Sequence, residues 1–292
     1  MPTPGQRVFL ALEKVFNVFF GDRLNPLYYL GAIAYFLFWI AAVTGLYLYA
    51  FFETSVVDAY ASVESLTHGQ RYAGGVIRSL HRYASDALVL VMVLHMLRHY
   101  VFDHFRGFRW FSWISGVVIL WLTYASGVNG YMLPWDRLAQ FVVTVTTEWF
   151  DVLPVIGGSM TRNFISNANV SDRLFSLLSF IHIGLPLSVL ALLWVHTQRI
   201  PSAKTNPPRP LMIGMVVSLI ALSLVKPALS QAPADMATVV ATLEFDWFYL
   251  PTYALIQHWG AVNTWFLVLG ATALLVALPW LPSRSRARQK SW

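Results

Sequence analysis

Along this chain the hydrophobic positions fall into long unbroken blocks, separated by shorter stretches that hold nearly all of the charge. A window of about 19 residues picks out apolar segments at 27–52, 75–101, 111–131, 174–196, 211–229 and 259–282. Blocks of that length without polar alternation predict helices that cross a bilayer. The expected fold is therefore all-α, a polytopic transmembrane bundle of six helices. Residues 7–20 have a mildly amphipathic pattern and are expected to lie on the membrane surface. The first block starts well inside the chain and lacks a convincing small-residue cleavage site, so it does not read as a cleavable signal. One membrane domain is predicted, in three parts: a surface segment at 1–26, a four-helix core at 27–200, and a two-helix part at 201–292 that begins with the Pro-rich stretch 201–210.

Composition narrows the class. Only 12% of the residues are charged and 57% are apolar, where a soluble domain carries about 25% charged residues; the mean hydropathy is +0.56. Cysteine is absent, which excludes disulfides, thiolate metal sites and thioether attachment of haem within the chain. Any cofactor must be held by other side chains, and the eight histidines are the candidates. The net charge of +6 is a topology signal. The segments 1–26, 98–110, 197–210 and 283–292 together hold thirteen Lys/Arg against three acids, Glu13, Asp22 and Asp103, whereas the other side holds ten acids. Positive loops face the cytoplasm, so both termini are expected there, in an inner (cytoplasmic) membrane, with 53–78, 132–173 and 230–258 outside. Basic residues at 284–290 suit anionic lipid headgroups, and nothing calls for a nucleic-acid partner.

The histidines carry the chemistry. His81 and His95 lie on the second predicted span, His182 and His196 on the fourth, each pair fourteen positions apart. Fourteen helical steps fall about 40° short of four turns and rise about 21 Å, so both members of a pair face one way at two depths. The second and fourth spans run in the same direction, which levels His81 with His182 on the outer side and His95 with His196 on the inner side. Two imidazoles facing across a bundle are what bis-histidine ligation of a haem requires. Two such levels would form an electron path through the membrane. Gly31 and Gly45 on the first span, and Gly116 and Gly130 on the third, repeat the same spacing and would let a flat macrocycle approach the backbone. For single glycines, close helix packing is the plainer explanation. Arg78 and Arg98 stand one turn from His81 and His95, where haem propionates would want cations; snorkelling anchors are the alternative. Asp86, within the second span, is expected to pair, with Arg82 as the nearest partner, or to carry protons.

These residues resemble the cytochrome b/b6 family, the haem-bearing subunits of quinol–cytochrome c and quinol–plastocyanin oxidoreductases. The resemblance rests on GGVIRSLHRYASDALVLVMVLHMLRHY at 74–100, FSWISGVVILWLTYASGVNGYMLPWD at 111–136, IHIGLPLSVLALLWVH at 181–196 and EFDWFYLPTYAL at 244–255. It implies two haem b groups, one on His81 and His182 and one on His95 and His196, with quinol or quinone as substrate. It also implies an outer quinol pocket with Pro134, Trp135, Val142 and Trp247. The family's Pro-Glu-Trp-Tyr motif stands here as Phe245-Asp246-Trp247-Phe248, so Asp246 would take the quinol proton; a carboxylate beside an apolar pocket has raised proton affinity. The alternative for Asp246 is a loop acid facing water. Where relatives carry a histidine for an inner quinone site this chain has Pro201, and the family's last helices are expected to be missing.

The implied partners are membrane lipid, quinone and other oxidoreductase subunits: a Rieske iron–sulfur protein, a cytochrome c, or both, with a homodimer admitted. Three functions follow. The first is a di-haem b-type cytochrome subunit that exchanges electrons with quinol on the outer side and conducts them across the membrane. The second is a haem b anchor joining the quinone pool to a peripheral dehydrogenase or reductase without a full quinone cycle. The third is a haem-free membrane protein, which requires the histidine spacing to be accidental.

Overall fold

The computed structural model describes residues 2–70, 73–155, 165–166, 169–200, 203–238, 240, 242–244 and 249–282. Helix α1 (Pro4–Phe20) opens with a capping box, Thr3 accepting from the Gln6 amide while the Gln6 side chain accepts from Thr3. A turn at Pro26–Tyr28, capped by the fully buried Asn25, leads into α2 (Leu30–Tyr49). Short α3 (Ala59–Glu64) precedes α4 (Ala73–Val101) and α5 (Trp110–Gly130). Helix α6 (Arg137–Asp151) starts where Asp136 accepts the Ala139 amide at 2.9 Å. A small hairpin, β1 (Ile165–Ser166) with β2 (Asn169–Val170), precedes α7 (Asp172–Gln198). Helices α8 (Arg209–Val225), α9 (Pro251–Trp259) and α10 (Ala261–Ala277) complete the chain's described part.

Five helical stretches are long and apolar enough to cross a membrane, and α8, at 17 residues, is shorter. The expected span at 211–229 is cut back because Lys226 leaves helical geometry ahead of Pro227, as the residue before proline disfavours the helical region. The last span begins at Ala261 because Gly260 takes φ 83°, a conformation open to glycine at little cost. Large apolar side chains point outward all along these helices, among them Leu46 (70% exposed), Trp194 (67%) and Phe266 (74%). Helices apolar on their outward face belong in lipid, not water. The chain is a multi-pass membrane protein.

The four central helices form two pairs. Helix α2 packs along α4, and α5 packs along α7, while α4 and α7 scarcely meet through their backbones. At one end of the bundle, the end that the charge pattern assigns to the outside, the connections fold together into a cap: Val56 N–H donates to Asp172 (2.9 Å), Tyr60 hydroxyl to the Gln231 carbonyl (3.1 Å), and Gln231 N–H to Asp136 (2.9 Å). Beneath this cap lies the largest apolar cluster, with Val142, Phe175, Tyr249, Leu250 and Tyr253 all buried.

Candidate functional site

The two helix pairs present histidines to each other. His81 on α4 and His182 on α7 approach with ring centroids 6.1 Å apart and planes at 71°. A metal–imidazole bond of about 2 Å, with each ring centre roughly 1.1 Å behind its nitrogen, puts two rings that share one iron about 6.3 Å apart. The observed separation fits that arrangement.

Hydrogen bonding on the far side of the rings favours the same use. His81 Nδ1 lies 2.9 Å from the Ala41 carbonyl and His182 Nδ1 lies 3.0 Å from the Ser126 carbonyl. A carbonyl only accepts, so Nδ1 carries the proton and donates, which leaves the Nε2 lone pair free for a metal. His196 Nδ1 is 2.8 Å from the Ser115 hydroxyl. Ala41 and Ser126 each stand four residues before a glycine, Gly45 and Gly130, so one turn of α2 and one turn of α5 supply both the acceptor and the space.

The glycines admit the imidazoles themselves. A Cβ on Gly45 would sit 2.9 Å from His81 Cε1, and one on Gly130 would sit 2.9 Å from His182 Cε1. At the inner level Gly31 faces His95 at 3.1 Å and Gly116 faces His196 at 3.6 Å. Each glycine thus serves one histidine, and the fourteen-residue spacing of the glycines follows from that of the rings they accommodate. On the glycine side the contact present is with the imidazole ring itself.

The two arginines have protein partners. Arg78 donates to the Thr67 and Ser230 hydroxyls, both at 2.8 Å, with Glu64 at 3.5 Å. Arg98 donates through Nε (3.1 Å) and Nη2 (2.9 Å) to one oxygen of Glu13. Arg82 and Asp86 pair at 3.3 Å along one face of α4. Of the outer-pocket residues, Trp135 is buried against Phe175, edge to face at 5.1 Å, with φ 52°. That left-handed backbone turns the chain sharply into α6 after the partly buried Pro134. Val142 is fully buried in the packed cluster under the cap. Asp246, Trp247 and Pro201 lie outside the described residues. A groove of about 330 Å³ opens between the end of α2 and the outer half of α7, lined by Tyr49, Ser176, Ser179 and Ile183 among others.

Sequence reasoning passed over His99 and Tyr249. His99 sits one turn after His95 with ring centroids 4.5 Å apart, a neighbour that i, i+4 spacing could have raised. Tyr249 is 1% exposed and bonds to Ser85 on α4; adjacency to the Phe-Asp-Trp-Phe stretch was its only signal.

Fold and site together define a multi-pass bundle that faces paired imidazoles across a gap between helix pairs, a class suited to holding haem in a membrane. The chain belongs to the cytochrome b/b6 family: residues 15–202 match the family described as Cytochrome b/b6/petB. It is 32% identical over 188 residues to cytochrome b6 of Gracilaria tenuistipitata var. liui, covering 63% of this chain and 86% of that protein. Its fold is similar to a chain of a hyperthermophilic respiratory Complex III, with a TM-score of 0.72 at 19% identity over 94% of this chain and 81% of that one. It is therefore a haem-binding subunit of membrane electron transfer.

Proposed function

We propose that the chain is a di-haem b cytochrome that conducts electrons across the membrane, with one haem held by His81 and His182 and a second by His95 and His196. The observation that carries this is the outer ring pair, 6.1 Å apart with both Nδ1 atoms at carbonyls; the repeat of glycine against imidazole at the inner level extends it to a second site. Haem held by these histidine pairs would supply one-electron chemistry, and ligation by two histidines would favour electron transfer over oxygen binding. The chain's own residues orient the rings, fix their tautomers and shield them between helix pairs.

On the outer side the substrate is quinol, with Pro134, Trp135, Val142 and Trp247 at its pocket and Asp246 accepting a proton. Without cysteine the chain holds no iron–sulfur cluster, so a second subunit takes the other electron, a Rieske protein or a cytochrome c; a homodimer and an inner-membrane location with cytoplasmic termini belong to the same proposal. The second reading, an anchor that lacks a quinone cycle, is favoured by one observation: Val142 is fully buried in a packed cluster, which leaves less room for quinol.

The test is a reduced-minus-oxidised spectrum of the purified chain with haem quantified per polypeptide. Two b-type haems per chain are expected, falling to one in His81→Ala, with the inner haem kept. A colourless protein, or loss of both signals together in a folded His81→Ala variant, overturns the assignment. Haem reduction by added quinol that is unaffected by Asp246→Asn would overturn the role of Asp246 as proton acceptor and favour the anchor.

A further inference from the structure

The two helix pairs are closed differently at their two levels. At the inner level Met96 of α4 and Trp113 of α5 meet in one apolar cluster with Phe105, and the Trp113 indole N–H donates to the Leu275 carbonyl of α10 at 2.7 Å. At the outer level the corresponding place holds a tyrosine from outside the four-helix core. The Tyr249 hydroxyl lies 2.9 Å from Ser85 Oγ and donates to the Ser85 carbonyl at 3.1 Å. Ser85 is one turn beyond His81. On the other side the Tyr249 ring fills the place that a Gly127 side chain would need, one turn before Gly130, which faces His182. It stacks on Tyr124 at 5.8 Å, and its carbonyl accepts the Tyr124 hydroxyl at 2.6 Å. One buried side chain thus touches a helix from each pair beside the outer imidazoles.

We infer that Tyr249 is a positioning residue for the outer haem: wedged between Ser85 of α4 and Gly127 of α5, it sets the separation and rotation of these helices at the level of His81 and His182. The inference rests on the two-haem proposal. Because His81 rides on α4 and His182 is held by α5 through the Ser126 carbonyl, moving α4 against α5 changes the angle between the ring planes, now 71°. Ligand-plane angle and hydrogen bonding around the ligands tune the electronic structure of a bis-histidine iron. The wedge therefore acts on one haem of the two, and the inner haem is an internal control.

The experiment is low-temperature electron paramagnetic resonance of the oxidised, haem-loaded protein, with the two low-spin signals assigned by their loss in His81→Ala and His95→Ala. Tyr249→Phe and the milder Ser85→Ala each remove one partner of the hydroxyl contact. Both are expected to shift the largest g-value of the outer signal and to leave the inner signal where it was. Tyr253→Phe is the comparison, since its buried hydroxyl bonds to Thr146 of α6 at 2.6 Å and not to α4; it should move neither signal. Unchanged outer signals in Tyr249→Phe and Ser85→Ala, equal shifts in both signals, or the same outer shift in Tyr253→Phe would overturn the positioning role. A wild type with a single low-spin signal would instead overturn the two-haem proposal on which it stands.

Discussion

At the scale of single residues, four glycines make graded predictions. Real side chains almost never accept a contact as close as the 2.9 Å that a Cβ at Gly45 or Gly130 would make with its histidine, whereas 3.6 Å at Gly116 is ordinary contact. Overpacking of a filled interior costs about 1–3 kcal/mol, and here the ring that must yield is the proposed ligand. Gly45→Ala and Gly130→Ala are expected to lose most of the outer haem, Gly31→Ala to weaken the inner one, and Gly116→Ala to keep wild-type haem content in a haemochrome assay. Equal retention in all four would show that the rings move freely. The spacing of these glycines was legible in the sequence, but their partner was not, because fourteen-residue periodicity places a residue on a face without saying what stands opposite. The arginines show the same limit. Arg78 stands one turn from His81, where the sequence suggests a cation for a propionate, yet its partner Ser230 is 152 positions away along the chain, and no local pattern announces such a bond.

At the scale of elements, the surface helix α1 shows how an amphipathic pattern becomes a docked part. Gly5, Phe9 and Glu13, each one turn apart, meet the end of α4: Gly5 against Val101, Phe9 edge-on to Phe102 at 6.2 Å, and Glu13 on Arg98. The other face, with Val8, Val15 and Phe19 at 60%, 52% and 78% exposure, suits the headgroup boundary of a bilayer. The sequence showed the two faces; that an acid would hold the buried one required the structure, since Glu13 is 8% exposed and acids are seldom so buried without a partner. Removing it leaves a largely shielded guanidinium without its carboxylate. Because Arg98 keeps 26% of its side-chain exposure, water offsets part of the loss, and Glu13→Ala should cost about 1–2 kcal/mol, below the 3–5 kcal/mol of a fully buried pair. The expected readout in detergent is a lower melting temperature, with faster tryptic cleavage at Arg7 and Lys14. Cleavage at the wild-type rate would show that Phe9 and Gly5 dock the helix unaided.

At the scale of the whole molecule, the side on which each loop lies depends on α8. Six crossings put both termini on one side, whereas five put them on opposite sides, and α8 is the helix in question because its 17 residues extend only about 25 Å against a hydrocarbon core of about 30 Å. Its ends compensate. Arg209 starts the helix and Lys226 follows it, and long cationic side chains can snorkel to the interface from a short span. The Tyr83 hydroxyl of α4 caps the far end by donating to the Lys226 carbonyl, and the Ala228 amide donates to Ser79 of α4 at 2.9 Å, so α8 runs beside a helix that is itself 29 residues long. A helix fastened to α4 at its far end and packed with it in one apolar cluster through Met215, Leu219 and Leu88 is expected to cross with it. The absence of cysteine makes the claim directly measurable, because any single introduced thiol is the only one present. Asn206→Cys before α8 and Ala237→Cys after it, both at exposed positions, are expected to react with a membrane-impermeant maleimide from opposite faces of sealed vesicles, Ala237→Cys from the same face as Asp58→Cys in the outer cap. Labelling of Asn206→Cys and Ala237→Cys from one face would mean that α8 lies in the interface, and the cap of outer loops joined through Gln231 and Asp136 would then have to be explained without a crossing between Asn206 and Gln231.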